Sequence, residues 1–98
     1  EIKKELKGAP YNFNGVRYQD LLADGTLVAA DKNTHTVKFI GADGAMKLVL
    51  GTPGKPGKGP NMFRTPEGIE VRGGTLWISD SGNDRVVVYQ LRDERAAQ

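Results

Sequence analysis

One stretch of this chain is written twice. Thr26-Leu27-Val28-Ala29-Ala30-Asp31 and Thr75-Leu76-Trp77-Ile78-Ser79-Asp80 both open on Thr-Leu and close on Asp, with Asp31 and Asp80 49 residues apart. At the same spacing Thr36-Val37-Lys38-Phe39 falls on Arg85-Val86-Val87-Val88. Upstream, Gly15-Val16-Arg17-Tyr18 matches Gly68-Ile69-Glu70-Val71 at a spacing of 53, which predicts four extra residues in the first copy, in a loop around Leu21 to Asp24. A repeat of this length constrains the fold more than composition does. Each copy is one supersecondary unit that cannot bury its faces alone, so copies must stack.

Within the copies, short β-branched and aromatic runs alternate with Gly, Asp and Asn turn signals, and no stretch reads as a long helix. The fold class expected is all-β. Residues 1–10 hold a first strand, Ile2 to Lys7, and a Gly-Ala-Pro turn. Residues 11–50 form the first unit, with strands near Gly15 to Leu22, Thr26 to Ala30, Thr36 to Ile40 and Met46 to Leu50, and with Asp24-Gly25 and Asp43-Gly44 as hairpin turns. Residues 51–65 are a Gly/Pro/Lys loop unable to form a regular ladder. Residues 66–91 supply three strands, near Gly68 to Arg72, Thr75 to Ser79 and Arg85 to Leu91, and residues 92–98 are a polar tail. The second copy stops one strand short of four, and the N-terminal strand is the spare. The period and the strand count are those of propeller blades, roughly 40 to 50 residues of four strands each.

Charge and composition narrow the function classes. Fourteen Lys plus Arg against 12 Asp plus Glu is too even to call for a nucleic-acid partner. No apolar run approaches the roughly 18 residues of a membrane span, and the N-terminus lacks the layout of a signal peptide. With no cysteine there is neither disulfide nor thiolate chemistry. The compartment is not specified by these features.

Phe63-Arg64-Thr65-Pro66-Glu67-Gly68-Ile69, followed by Leu76-Trp77-Ile78-Ser79-Asp80-Ser81-Gly82-Asn83-Asp84-Arg85-Val86, resembles the NHL repeat of β-propellers. The first copy departs from that pattern, with Thr34 in place of Asn and Thr36 in place of Arg. The resemblance implies two four-stranded blades of a propeller that is usually six-bladed. Two blades leave both outer faces open, with apolar patches beyond the roughly 300–600 Å² found on ordinary monomers. The expected remedy is a cyclic homo-oligomer, a homotrimer for six blades, in which the N-terminal strand completes the last blade of its own chain or of a neighbour. Internal blades removed from a longer NHL protein would leave the same strand order.

Candidate site residues gather on the loops Asp31 to His35, Asn61 to Glu67 and Asp80 to Asp84. As ligand contacts they are Asn14, Asp31, His35, Arg64, Glu67, Asp80 and Asn83. For Asp80, Asn83 and Arg85 the stronger expectation is structural, with an Asp at a strand end bonding turn backbone and pairing with its neighbours. His35, the only histidine, reads as an exposed turn residue, although with Asp31 and Asn33 beside it an oxygen-rich metal site is the competing reading.

Glu67 and Glu70 lie in or beside the innermost strand, with Asn14 and Arg17 at the matching places of the first copy. Propellers resembling gluconolactonases hold calcium with Glu, Asn and Asp for lactone or phosphoester hydrolysis, so calcium is the one cofactor implied. No Ser-His-Asp set accompanies these acids, and a non-catalytic role is expected. The loop Gly51 to Pro60 fails the P-loop pattern. Some NHL propellers bind RNA on one face, and the resemblance makes Lys55, Lys58 and Arg64 the phosphate contacts of that reading, with little aromatic interleaving to support base stacking. Tyr11, Phe13, Phe63 and Trp77 are expected to pack between blades. The partner most expected is another copy of the chain, ahead of a protein or small-molecule ligand.

Overall fold

The computed structural model describes residues 4–91. The β-branched runs of the first copy form an antiparallel sheet in chain order, β1 (Val16–Leu21), β2 (Leu27–Asp31), β3 (Thr36–Ile40) and β4 (Met46–Leu50). Those of the second form a three-stranded antiparallel sheet, β5 (Gly68–Arg72), β6 (Thr75–Asp80) and β7 (Arg85–Gln90). All seven lie within one residue of the spans expected from sequence. A single 3-10 turn joins the second and third strands of each sheet, η1 (Lys32–Thr34) and η2 (Ser81–Asn83). Among the described residues no helix is long and apolar enough to cross a membrane.

The hairpins follow their turn chemistry. Asp24 and Asp43 each accept a hydrogen bond from the amide two residues on, Thr26 at 2.9 Å and Ala45 at 3.0 Å, so each side chain closes its own turn. Gly73 and Gly74 turn the second sheet in two residues, both at positive φ, as the twist of a tight hairpin requires.

The strand register corrects the alignment of the two copies. Leu21 pairs with Leu27 and Asp20 with Val28, while Val71 pairs with Leu76 and Glu70 with Trp77. Asp20 therefore corresponds to Glu70 and Leu21 to Val71, a spacing of 50 rather than 53. The first copy's hairpin is longer by one residue, not four. Matching Gly15 to Gly68 produces the error, because the two glycines serve different purposes. Gly15 has φ +91, and a Cβ there would meet the Asn33 side chain at 2.7 Å. Its true counterpart is Thr65, with φ +45. Gly68 instead leaves room for Ser79, whose Oγ would lie 2.7 Å from an added Cβ.

The two sheets face each other across one core. Val28, Val37 and Phe39 from the first meet Leu76 and Ile78 from the second, with Phe63 between them. Each such side chain contributes about 1.5–3 kcal/mol when fully buried. The first strands of the two sheets, β1 and β5, run next to each other.

Burial then separates the sheets. In the first, β2 from Val28 onward and the whole of β3 are buried on both faces. In the second, β7 alternates half-buried and exposed, as a sheet with one open face must. The second sheet's outer face is open, and the first sheet's is covered over β2 and β3 but open along β1, where Val16 and Leu21 are exposed. The cover is the chain's own segment at Tyr11 to Asn14. Tyr11 and Phe13 stack there with centroids 5.6 Å apart, Lys38 Nζ lies 5.3 Å from the Phe13 ring, and the Tyr11 hydroxyl donates to the Gly44 carbonyl.

That segment also corrects the spare strand. Lys4 to Lys7 are irregular, with Lys4 Nζ donating to the Asp43 carbonyl at 3.2 Å. They lie by the first sheet, and among the described residues the second sheet has three strands. Ile2, Lys3 and the tail 92–98 fall outside the described residues.

Candidate functional site

Each sheet carries a buried aspartate where its second strand ends, and the next turn folds around it. Asp31 and Asp80 are both wholly buried. Asp80 accepts the Arg64 amide at 2.7 Å, Asn83 Nδ2 at 2.8 Å and Arg85 Nε at 2.9 Å. Asn83 then reaches the Gly57 carbonyl at 2.7 Å and Arg85 Nη2 the Met62 carbonyl at 3.0 Å. One carboxylate ties η2, β7 and the loop from the first sheet together. Buried polar groups must find partners, and these have.

The first copy builds the same hub from different residues. Asp31 accepts the Asn14 amide at 2.9 Å, Thr34 Oγ1 at 2.7 Å and Lys38 Nζ at 2.7 Å. Thr34 takes the place of Asn83, and its hydroxyl lies 2.7 Å from that of Thr36. The cation has moved two residues along the strand, from the position of Arg85 to Lys38. Alternate residues of a strand share a face, so the charge still reaches the carboxylate. Lys38 also donates to the Tyr11 carbonyl at 2.8 Å and that of Asn12 at 3.2 Å, anchoring the N-terminal segment as Arg85 anchors Met62. Sequence comparison registers only the loss of an Arg here and misses Lys38, whose signal is its place on the same face.

Of the seven candidate contacts, Asp31 and Asp80 accept several hydrogen bonds inside the fold and Asn83 donates its Nδ2 there. Each hub carboxylate carries a side-chain cation at 2.7 Å or 2.9 Å, and of the acids that the calcium expectation rests on, Glu67 lies 3.8 Å from Lys32 and Glu70 2.9 Å from Arg72. Among the described residues no three His, Cys, Asp or Glu side chains gather in one place.

The other four candidates sit at one end of the two sheets. Asn14 and Arg64 are exposed and correspond to each other, their amides capping Asp31 and Asp80. Glu67 is half-buried and pairs with Lys32 at 3.8 Å. His35 is not the exposed turn residue expected from sequence. It is half-buried in the left-handed conformation that ends η1, with φ 61, and its Nδ1 accepts the Thr65 amide at 3.0 Å. Lys32 and His35 thus both reach from the first sheet to the segment that leads into the second.

Asp20 makes a third such link. Its carboxylate accepts the Val71 amide at 2.8 Å and its neighbour Leu21's at 2.8 Å. These two donors, Val71 first, hold its carboxyl below the ordinary value. A depressed folded pKa means that Asp20 adds stability above the ordinary carboxylate range, and that this is lost as pH falls through the folded value. Asp20→Asn is therefore expected to melt below the parent at pH 7, with the gap closing on acidification toward pH 3. Parallel thermal melts over that range check it; a gap independent of pH would remove Asp20 as a titrating link.

On the open side of the second sheet, Gly68, Ile69, Glu70, Trp77 and Ser79 line a shallow groove. Around it Trp77, Val86 and Val88 are 44 %, 59 % and 49 % exposed. No family model and no curated protein match this chain.

Proposed function

We propose that this chain is a two-blade unit of an NHL-like β-propeller, a non-catalytic binding and assembly module that joins further copies of itself head to tail in a closed ring. The observation that carries this reading is a correspondence between faces. Trp77, Val86 and Val88, exposed on the second sheet, stand 49 residues after Val28, Val37 and Phe39, which the first sheet buries against the second. The open face is thus the counterpart of one already mated within the chain.

Its complement is also present. The face of the second sheet that meets the first carries Leu76, Ile78 and Phe63; the first sheet's far face carries Leu27, Ala29 and Phe13 at the matching places. The two faces differ, so the contact is heterologous and stays soluble only if the rotation closes. Six blades, the usual number in the resembling family, make the ring a homotrimer.

Sedimentation equilibrium at micromolar concentration is the test. The expected mass is that of three chains, and Trp77→Lys, which places a charge at the centre of the open face, is expected to return it to one chain with the melting transition retained. A parent mass of one chain would overturn the proposal.

A further inference from the structure

If copies join head to tail, the contacts that fasten the two sheets within a chain identify the residues of the junction between chains, an inference that rests on the ring proposed above. Inside the chain, the sheets are fastened at one end by His35 Nδ1, which accepts the Thr65 amide at 3.0 Å, and by Lys32, which lies 3.8 Å from Glu67. Both donor and acceptor of the first contact have counterparts at the chain's free faces.

His35 corresponds to Asp84. Each ends its 3-10 turn in the left-handed conformation, at φ 61, ψ 40 and φ 53, ψ 46, and each returns its amide to the first residue of the turn. An aspartate Oδ is three bonds from Cα, as is histidine Nδ1, so the two side chains present an acceptor at the same reach. Asp84 is exposed, and its carboxylate has no partner among the described residues. Thr65 corresponds to Gly15, both at positive φ and both next in sequence after the residue whose amide caps a buried aspartate. Gly15 is exposed too.

Charge points the same way. Counted forward from the capping residues Asn14 and Arg64, Glu67 falls on Arg17, which lies in the bulge of β1 between Val16 and Gln19 and is exposed and unpaired among the described residues. Lys32 corresponds to Ser81, the first residue of the turn that Asp84 ends. Inside the chain the cation is on the first sheet and the acid leads into the second; between chains the acid is on the second sheet and the cation on the first.

We infer that Asp84 is the latch of the copy-to-copy junction, its carboxylate accepting the Gly15 amide of the next copy with that copy's Arg17 beside it. A charged acceptor has no counterpart in the internal contact. The junction between chains is therefore marked as different from the one within a chain, which favours correct end-to-end order.

Asp84→Gly suits the test, because glycine takes the left-handed conformation without strain and the fold is expected to survive. Sedimentation equilibrium of the full chain is expected to show association weakened about 10- to 100-fold per junction, the worth of a hydrogen bond to a charged group. Arg17→Ala is expected to weaken it less, and the two losses together to be less than additive. Thermal melts below the association range confirm that each variant folds. Association unchanged by Asp84→Gly would overturn the latch alone. A parent that stays at the mass of one chain would overturn the ring reading and the latch with it.

Discussion

Lys38→Met is expected to cost the fold about 3–5 kcal/mol, the penalty of leaving one member of a buried ion pair without the other. Lys38 is 3 % exposed and Asp31 wholly buried, and their 2.7 Å contact is the charge balance of the first hub. Methionine fills the space of the lysine stem, so packing changes little and the loss reports the charge. The Asn14 amide and Thr34 hydroxyl still bond Asp31, but neutral donors do not replace an ammonium. The carbonyls of Tyr11 and Asn12 lose their shared donor as well, which frees the segment covering the first sheet. Against a total stability of about 5–15 kcal/mol, this is a large fraction. Urea unfolding gives the measurement, with the midpoint displaced and the slope retained. Arg85→Ala in the second hub is expected to lose less, since Arg85 is a third exposed and water takes over part of its role. Equal losses at the two hubs, or a Lys38→Met loss under about 1 kcal/mol, would mean that the pair is not the keystone of the first sheet.

The difference between the two hubs explains what the sequence could disclose. Strand spans were legible because period-two alternation and Asp-Gly or Gly-Gly turns mark them locally. The Asp80, Asn83 and Arg85 hub was legible because its members fall within six residues of one another. Its twin was not, because a position-by-position match registers Thr36 as a lost Arg and has no means of crediting Lys38 two residues later. The register of β1 is obscured for a related reason: identity between glycines outweighs the backbone conformations that distinguish them. The cover of the first sheet's far face was legible only as two aromatic residues, Tyr11 and Phe13. Tyr11 to Asn14 are irregular, and irregular segments have no periodicity from which to read a face. His35 reads as an exposed turn residue because its partner, the Thr65 amide, is 30 residues away and bears no side-chain signal.

Phe63→Ala is expected to destabilise the chain by about 3–5 kcal/mol, the range for removing a buried aromatic ring from a packed core. Phe63 is wholly buried among Val28, Val37, Phe39, Leu76 and Ile78, so the cavity opens at the centre of the contact between sheets and neither sheet can close on it without moving the other. Phe13 is its counterpart, half-buried on the first sheet's far face against Tyr11 and Lys38. In a lone chain Phe13→Ala removes a stacked pair and a cation-π contact at a partly solvated site, with an expected cost on the order of 1 kcal/mol. If copies join head to tail, Phe13 enters the neighbour's face of Trp77, Val86 and Val88 as Phe63 enters that of Val28, Val37 and Phe39. The cost of Phe13→Ala must then rise with protein concentration, toward that of Phe63→Ala once association is complete, while the cost of Phe63→Ala is already present in dilute solution. Thermal melts of both variants across the association range separate the cases. A Phe13→Ala penalty that stays constant while the parent associates would place Phe13 outside the junction and leave the open face to be covered in some other way.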